Sequence, residues 1–195
     1  MTDLNRRALL LGAGVVAGIA GSAFTGTPAA RSEPGPDGRV VDLALLRRTF
    51  ALADDARRVG GSPYGALVAD AAGNVVAEQG NTSAVTGGDP TQHAELAVAA
   101  AAWRTLGYDG MNQGTLYAST EPCSMCAGAA YWTGIGRVVY GMSNHRLFEF
   151  TGDQPGRTSF ALPCRDILQH GSRPVAVVGP LLEDEAARSH VGYWR

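Results

Sequence analysis

Residues 91–106, Thr-Gln-His-Ala-Glu-Leu-Ala-Val-Ala-Ala-Ala-Ala-Trp-Arg-Thr-Leu, decide the fold of this sequence and include the motif His93-Ala94-Glu95. The run is rich in alanine and predicts a helix with this motif in its first turn. A second motif, Pro122-Cys123-Ser124-Met125-Cys126, begins 27 residues after Glu95 and opens another predicted helix, 122–132. Proline suits a helix start because its missing N–H would have no partner there. Two helix starts therefore carry the chemically active side chains.

The residue types of the two motifs are those of a metal site. Zinc in proteins binds imidazole nitrogen and thiolate sulfur. Cys123 and Cys126 are three residues apart on one predicted turn, so both sulfurs can face one ion. His93, Cys123 and Cys126 are therefore predicted to hold one zinc ion per chain. Helix N-termini favour thiolate over thiol, which adds to the effect of the metal.

The number of ligands and Glu95 indicate catalysis. Three protein ligands leave one position of a tetrahedral zinc open for water, whereas closed structural sites have four ligands. Zinc lowers the pKa of its bound water from about 15.7 to about 7, which makes hydroxide available near neutral pH. Glu95 lies two residues from a ligand and is not needed as one. The His-x-Glu and Pro-Cys-x-x-Cys pair resembles the motifs of zinc nucleobase deaminases, and this resemblance implies that Glu95 shuttles protons between water, a ring nitrogen and a departing amine.

The cysteines and histidines leave other interpretations open. Cys-x-x-Cys pairs also occur in thioredoxin-like redox sites, but here a His-x-Glu motif lies upstream and proline precedes Cys123. A structural zinc site would need a fourth ligand, for which Cys164 or His145 is available. Otherwise Cys164 is predicted to be a buried small hydrophobe. His145, His170 and His190 are predicted to be surface or hydrogen-bonded residues.

The remaining elements predict a layered α/β domain. Apolar residues recur every three or four positions over 40–59, which predicts a helix, and 65–69 and 74–78 flank a turn, which predicts a β-hairpin. Strands that alternate with helices after a hairpin predict a mixed sheet covered by helices. The short βα loops would place both helix starts at one edge of that sheet. The other predicted strands are 115–119, 137–141 and 174–178, and the other helices are 163–169 and 183–189.

The first 30 residues are predicted to be an export signal. Arg6-Arg7 precede an apolar, glycine-rich stretch over 8–24, and small residues follow. A membrane span needs about 20 apolar residues, so we expect no stable span after signal removal. The paired arginines resemble a twin-arginine signal, although the lysine often found later in that motif is absent. We expect a periplasmic or extracellular protein, with a secretory signal or a retained anchor as alternatives. Residues 31–39 are predicted to be a linker and 40–195 one zinc-binding domain.

Composition favours a small-molecule substrate. The formal net charge is −2, and the 16 basic residues are scattered along the chain. They form no stripe of positive charge that could follow a phosphate backbone, so a long nucleic acid is not the favoured partner. Three cysteines, two of them in one short motif, are too few for a disulfide framework.

With these motifs the sequence closely resembles the bacterial nucleoside deaminases of the cytidine deaminase superfamily, which include guanine deaminase and tRNA adenosine deaminase. The resemblance implies a three-layer sandwich, with a central mixed five-stranded sheet and helices on both faces, and a homodimer. The residues that carry it lie at 63–66, 81, 89–95, 115–117, 121–129 and 135–141.

The resemblance also implies substrate contacts. Asn81 would hydrogen-bond a base or ribose, with shaping of its loop as the alternative. Ala66 and Ala94 would line the substrate site, Ala94 through its backbone N–H. Trp132 is more similar to the guanine deaminase branch and would stack on a free base, with core packing as the alternative. Tyr193 would belong to a C-terminal lid, or else to an ordinary docking tail.

The predicted reaction is therefore the hydrolytic deamination of a free nucleobase or nucleoside, with guanine or guanosine slightly preferred. Deamination of adenosine in tRNA is the alternative, opposed by the sparse basic residues and by the export signal, since tRNA is cytosolic. A non-catalytic, zinc-stabilised binding domain is an alternative from another class. Glu95 argues against it, because a purely structural site has no use for a carboxylate beside the metal.

Overall fold

A computed structural model describes residues 34–85, 87–152, 160 and 162–194. The predicted export signal lies outside these residues. The first helix, α1, spans Leu43–Arg58, and the side chain of Asp42 caps it by accepting hydrogen bonds from two backbone N–H groups of its first turn. Over the described ranges, each helix is too short or too polar to cross a bilayer.

In the part of the chain that the structure describes, five strands and five further helices follow α1. The chain runs from the hairpin β1–β2 through alternating helices and strands, as the pattern of the sequence predicts. The strands are β1 Gly65–Ala69, β2 Val75–Gly80, β3 Thr115–Thr120, β4 Arg137–Met142 and β5 Ala176–Val178; the helices are α2 Ala94–Gln113, α3 Ser124–Trp132, α4 Asn144–Thr151, α5 Cys164–Leu168 and α6 Glu183–Ala187, which continues into the 3-10 turn Arg188–His190.

The strands form one mixed sheet in the order β2-β1-β3-β4-β5. β1 is antiparallel to both β2 and β3, and β3, β4 and β5 are parallel. The predicted five-stranded mixed sheet is therefore confirmed.

Helices cover both faces of this sheet because successive side chains of a strand point to opposite faces. On β3, Leu116 packs into one hydrophobic cluster with Val98 of α2. The next residue, Tyr117, packs into a second cluster with Leu46 of α1 and Ala186 of α6. Two separate cores on the two faces confirm the predicted three-layer sandwich.

The structure differs from the sequence prediction in three places. α2 extends to Gln113, past Gly107, whose φ of 61° interrupts the helix. The helix α4, Asn144–Thr151, was not expected; it is short, and only Leu147 and Phe150 pack, partly buried, against the second cluster. Residues 34–39, predicted to be a linker, form a turn in which the backbone N–H of Gly35 donates to the carbonyl oxygen of Arg39. Arg137, 2% exposed, donates to the same carbonyl oxygen, so the turn packs against β4.

Candidate active site

The topology brings the two motifs to one edge of the sheet. β2 ends at Gly80, which pairs with Gly65 at the start of β1, and the loop after β2 leads to α2. The backbone N–H of Gly65 donates to Ser119 Oγ near the end of β3, at 3.0 Å, and the loop after β3 leads to α3. Both helices therefore start at the edge where β3 ends, as predicted.

The three predicted ligands meet at these helix starts. His93 is the N-cap residue of α2, and Cys123 is the N-cap residue of α3. One donor atom from each of His93, Cys123 and Cys126 lies within 4.8 Å of the other two. Among the described residues, no other His, Cys, Asp or Glu belongs to this cluster.

The distances in the cluster fit tetrahedral zinc. Nδ1 of His93 lies 3.6 Å from Cys123 Sγ and 3.5 Å from Cys126 Sγ. Zinc–sulfur bonds of about 2.3 Å and zinc–nitrogen bonds of about 2.05 Å at a tetrahedral angle place the two donor atoms about 3.6 Å apart. The donor set is therefore arranged for a zinc ion bound through Nδ1.

Glu95 lies beside this cluster and outside the ligand set. It is in the first turn of α2, its side chain is 6% exposed, and its Oε2 lies 3.6 Å from Cys126 Sγ. Burial raises the pKa of Glu95 because the charged carboxylate loses hydration. A raised pKa suits a carboxyl group that must take up and release protons near neutral pH.

The surroundings also favour a thiolate at Cys123. A hydrogen bond from Cys126 lowers the pKa of the Cys123 thiol, and the positive end of the α3 dipole acts in the same direction. The hydrogen bond between His93 and Cys123 raises the pKa of His93. Metal binding must displace a proton from the histidine, so metal affinity is expected to fall in acid.

Three further residues with predicted substrate roles are all buried around the same edge of the sheet: Asn81, Ala94 and Ala66. Asn81 is 2% exposed, and its Oδ1 accepts hydrogen bonds from the backbone N–H and the hydroxyl of Ser83. This oxygen therefore shapes the loop, and a substrate contact of Asn81 stays a prediction. Ala94 is fully buried at the first position of α2. The side chain of Ala66 is also fully buried, in the core between the sheet and α2.

Two aromatic residues with predicted substrate roles have different locations. Trp132 is the last residue of α3 and is 81% exposed, so it does not pack in the core. Nine residues of helix separate it from Cys123 by about 13 Å. It therefore does not reach the metal-binding residues of its own chain. Tyr193 lies against the loop before β1, where its hydroxyl donates to Ser62 Oγ at 3.4 Å, and its role in a lid stays a prediction.

Glu121, a residue without a predicted role, connects the loop that carries Cys123 to two neighbouring helix starts. Its carboxylate, 6% exposed, accepts hydrogen bonds from the backbone N–H of Asn144 at 3.0 Å and of Cys164 at 2.9 Å. Glu121 thereby ties the starts of α4 and α5 to the loop that carries Cys123. An acidic residue directly before Pro-Cys, at the end of a predicted strand, was the available signal.

The remaining cysteine and histidines are placed as follows. Cys164 is buried, as predicted, and neither it nor His145 joins the ligand cluster of the described chain. His145 and His170 are exposed, as predicted. His190 is 1% exposed, and its Nε2 has no hydrogen-bond partner among the described residues. His190 is therefore not a surface residue, and of its two ring nitrogens Nδ1 is hydrogen-bonded, to Trp194.

The fold and the three-ligand cluster define the zinc deaminase class, and comparisons with known proteins agree. The family model for the cytidine and deoxycytidylate deaminase zinc-binding region matches residues 40–142. A Schizosaccharomyces pombe protein named "Probable cytosine deaminase" is 40% identical over 153 residues, 78% of this chain and 92% of that protein. The guanine deaminase of Bacillus subtilis is 38% identical over 97 residues, 49% of this chain and 61% of that enzyme. A structure from a study of A-to-I editing by tRNA:A34 deaminases has a TM-score of 0.57 and 27% identity, over 76% of this chain and 99% of that chain.

The chain therefore belongs to the cytidine and deoxycytidylate deaminase family of zinc-binding proteins. The expected superfamily, fold and metal are confirmed. The relatives support a hydrolytic deaminase, and their names include several bases.

Proposed function

We propose that this protein deaminates a free nucleobase or nucleoside by hydrolysis, with guanine or guanosine as the first substrate to test. The observation that carries the proposal is the buried Glu95 carboxylate, 3.6 Å from Cys126 Sγ and outside the ligand set. A site that only stabilised the fold would gain nothing from this carboxylate, because its burial opposes ionisation.

In the proposed reaction, a ring carbon exchanges its amino group for the oxygen of water. A carbon–oxygen bond forms, the carbon–nitrogen bond breaks, and ammonia leaves. A bound zinc ion supplies the Lewis acidity that makes water reactive near neutral pH. Glu95 takes the protons of water and passes them to the ring nitrogen and then to the departing amine. One water is consumed and one ammonia released, so Glu95 returns to its starting state.

Cytosine is a second candidate substrate, and a specific observation favours it. The relative named "Probable cytosine deaminase" is matched over 92% of its length, against 61% for the Bacillus subtilis guanine deaminase. The preference for guanine rested partly on Trp132, which does not reach the metal-binding residues of its own chain. Guanine and cytosine therefore have to be assayed side by side.

The two other candidate functions have less support. A tRNA substrate is favoured by the structural likeness to the tRNA:A34 deaminase study, but a net charge of −2 provides little attraction for a phosphate backbone. A non-catalytic binding domain is opposed by the buried carboxylate of Glu95.

The test is ammonia release from zinc-loaded protein, with Glu95→Gln as the matched control. The panel contains guanine, guanosine, adenine, adenosine, cytosine, cytidine and a tRNA anticodon stem-loop. Turnover of one small compound by the wild type, with none by Glu95→Gln, supports the proposal and names the substrate. Turnover of the stem-loop alone supports the tRNA function, and silence on the whole panel contradicts nucleobase deamination.

We also propose that the protein is exported and forms a homodimer. Export is supported by Arg6-Arg7 before the apolar stretch over 8–24. Replacement of both arginines by lysine should leave the protein in the cytoplasmic fraction if a twin-arginine signal directs it, and unchanged export would contradict that route. The dimer is tested by measuring the mass in solution by light scattering. One full-length chain has a mass of 20.2 kDa, so a dimer would give twice the mass of one chain, and the mass of a single chain would contradict the dimer.

A further inference from the structure

The C-terminal segment, residues 188–194, is held to the domain by a buried histidine. The ring of His190 is 1% exposed and stacks on Trp194, with ring centroids 5.9 Å apart and planes 19° apart. Tyr64 meets the same ring edge-on at 5.3 Å, and Phe150 of α4 lies at 6.1 Å. Three elements that are distant in sequence therefore enclose one imidazole.

One hydrogen bond fixes the protonation state of this ring. Nε1–H of Trp194 donates to Nδ1 of His190 at 3.0 Å. Nδ1 must therefore be an acceptor, and the neutral ring carries its proton on Nε2. A second proton on Nδ1 would replace the acceptor with a donor, so that the indole N–H of Trp194 loses this acceptor and a charge is buried in an aromatic cluster.

The charge that faces His190 would also oppose a second proton. Nη1 of Arg57, on α1, donates to the carbonyl oxygens of Ser189 and Val191, at 2.8 and 3.0 Å, on either side of His190. Among the described residues, the phenol of Tyr64 belongs to a ring that contacts His190, and the ring of Tyr193 packs on Trp194. α4 contributes the apolar ring of Phe150, over whose face the Arg146 guanidinium lies at 5.6 Å. Burial and then the Arg57 charge lower the pKa of His190 to about 4.

This segment docks at the edge of the sheet that carries the metal-binding residues. The carbonyl oxygen of Tyr64 accepts a hydrogen bond from the backbone N–H of Asn81 at 2.8 Å, and Gly65 is bonded to Ser119 at the end of β3. Release of the segment would therefore uncover the loop that leads to the site.

We propose that neutral His190 is a positioning residue that holds the C-terminal aromatic residues at the edge of the active site, and that its protonation releases the segment. The effect of release on substrate binding rests on the proposed deaminase function. The docking equilibrium itself does not depend on that function.

The direction and size of the effect follow from linkage. A released histidine has a pKa of about 6.5, and the docked ring has a pKa of about 4. Docking of the segment therefore has its full strength at pH values above about 6.5. As the pH falls between these values, the released state binds more protons and docking weakens by about tenfold per pH unit. Between pH 7.5 and 5.5 the expected loss is about tenfold.

The test measures the hydrogen exchange of the Trp194 indole N–H by NMR on the zinc-loaded full chain. Trp194→Phe assigns its resonance among the three tryptophans of the chain, and the exposed indoles of Trp103 and Trp132 serve as references for intrinsic exchange. We expect the protection of Trp194 to fall about tenfold from pH 7.5 to 5.5. Constant protection over this interval would overturn the proposal.

His190→Asn is the matched control. Its amide oxygen can accept from the indole N–H where Nδ1 did, and asparagine does not titrate in this range. Protection in this variant should be independent of pH, whatever its absolute level. The same pH slope in both proteins would overturn the proposal, since another group would then be responsible. The measurement uses no substrate, so its outcome does not depend on whether the protein releases ammonia. The docking proposal and the proposed deaminase function can therefore fail separately.

Discussion

Replacement of Glu95 by glutamine separates catalysis from metal binding and from stability. Glutamine has the shape of glutamate but cannot shuttle a proton. General acid–base catalysis contributes about 10² to 10⁴ in rate, and because Glu95 serves more than one proton transfer we expect a loss in kcat near the upper value, about 10⁴-fold. That loss corresponds to about 5.5 kcal/mol in the activation free energy.

The same substitution should not weaken the fold. Burial raises the pKa of Glu95, so the ionised carboxylate opposes folding at neutral pH, and a neutral amide removes this cost. We expect metal-free Glu95→Gln to unfold at the same urea concentration as the wild type or at a higher one. Since Glu95 is outside the ligand set, the zinc-loaded variant should retain about one zinc per chain.

The assays are ammonia release under saturating substrate, zinc analysis and urea denaturation, with Glu121→Gln as the matched control. Glu121 is equally buried, at 6% exposed, but its carboxylate is bonded to the backbone N–H groups of Asn144 and Cys164 and to the Cys164 thiol, not to the zinc ligands. That control should lose about 1.5–3 kcal/mol of stability, because a charge-assisted hydrogen bond is weakened. Its kcat should stay within about tenfold of wild type. A Glu95→Gln enzyme with near-normal kcat, or one that loses its zinc, would refute this role for Glu95.

Three further predictions concern the metal-binding residues and a close backbone approach at the start of β4. Cys126→Ser should weaken zinc binding by more than about 100-fold in a chelator competition. Loss of a residue that only hydrogen-bonds a metal ligand already costs about 10–100-fold in affinity, and loss of a ligand should cost more. Unchanged affinity would remove Cys126 from the ligand set. In metal-free protein at pH 7, iodoacetamide should modify Cys123 before Cys126 and Cys164, since the thiol pKa is lowered for Cys123 and raised for the other two. Peptide mass spectrometry gives the order of modification, and bound zinc should protect Cys123. Gly136→Ala should lower the free energy of unfolding, measured by urea denaturation, by about 3 kcal/mol. The reason is that the added Cβ would lie 1.8 Å from the backbone oxygen of Asn112. Wild-type stability would contradict this close approach.

The sequence predicted the parts of the fold that have a local pattern. The strand predicted at 65–69 coincides with β1, and the helix predicted from position 40 contains α1. The ligand set was also predictable, because metal ligands are recognised by residue type and spacing. The order of the hairpin and the βα units along the chain was enough to place the starts of α2 and α3 at one edge of the sheet.

Features that depend on distant contacts were not predictable. α4 is only eight residues long, and its apolar residues Leu147 and Phe150 are only partly buried against the second cluster, so its local pattern is too short to mark a helix. The burial of His190 depends on Tyr64 and Phe150, far away in sequence. Likewise, the turn over 34–39 is ordered by Arg137, which donates to the carbonyl oxygens of Arg39 and Val40. In each case the stabilising partner belongs to another element.

The most direct test of the central claim is a zinc titration of ammonia release. Metal-free protein would receive increasing zinc, and the rate would be measured on the substrate that the panel identifies. The three-ligand cluster beside Glu95 predicts a rate that rises in proportion to zinc and stops rising at about one equivalent per chain. Full activity without zinc, or none at any zinc concentration, would contradict the account.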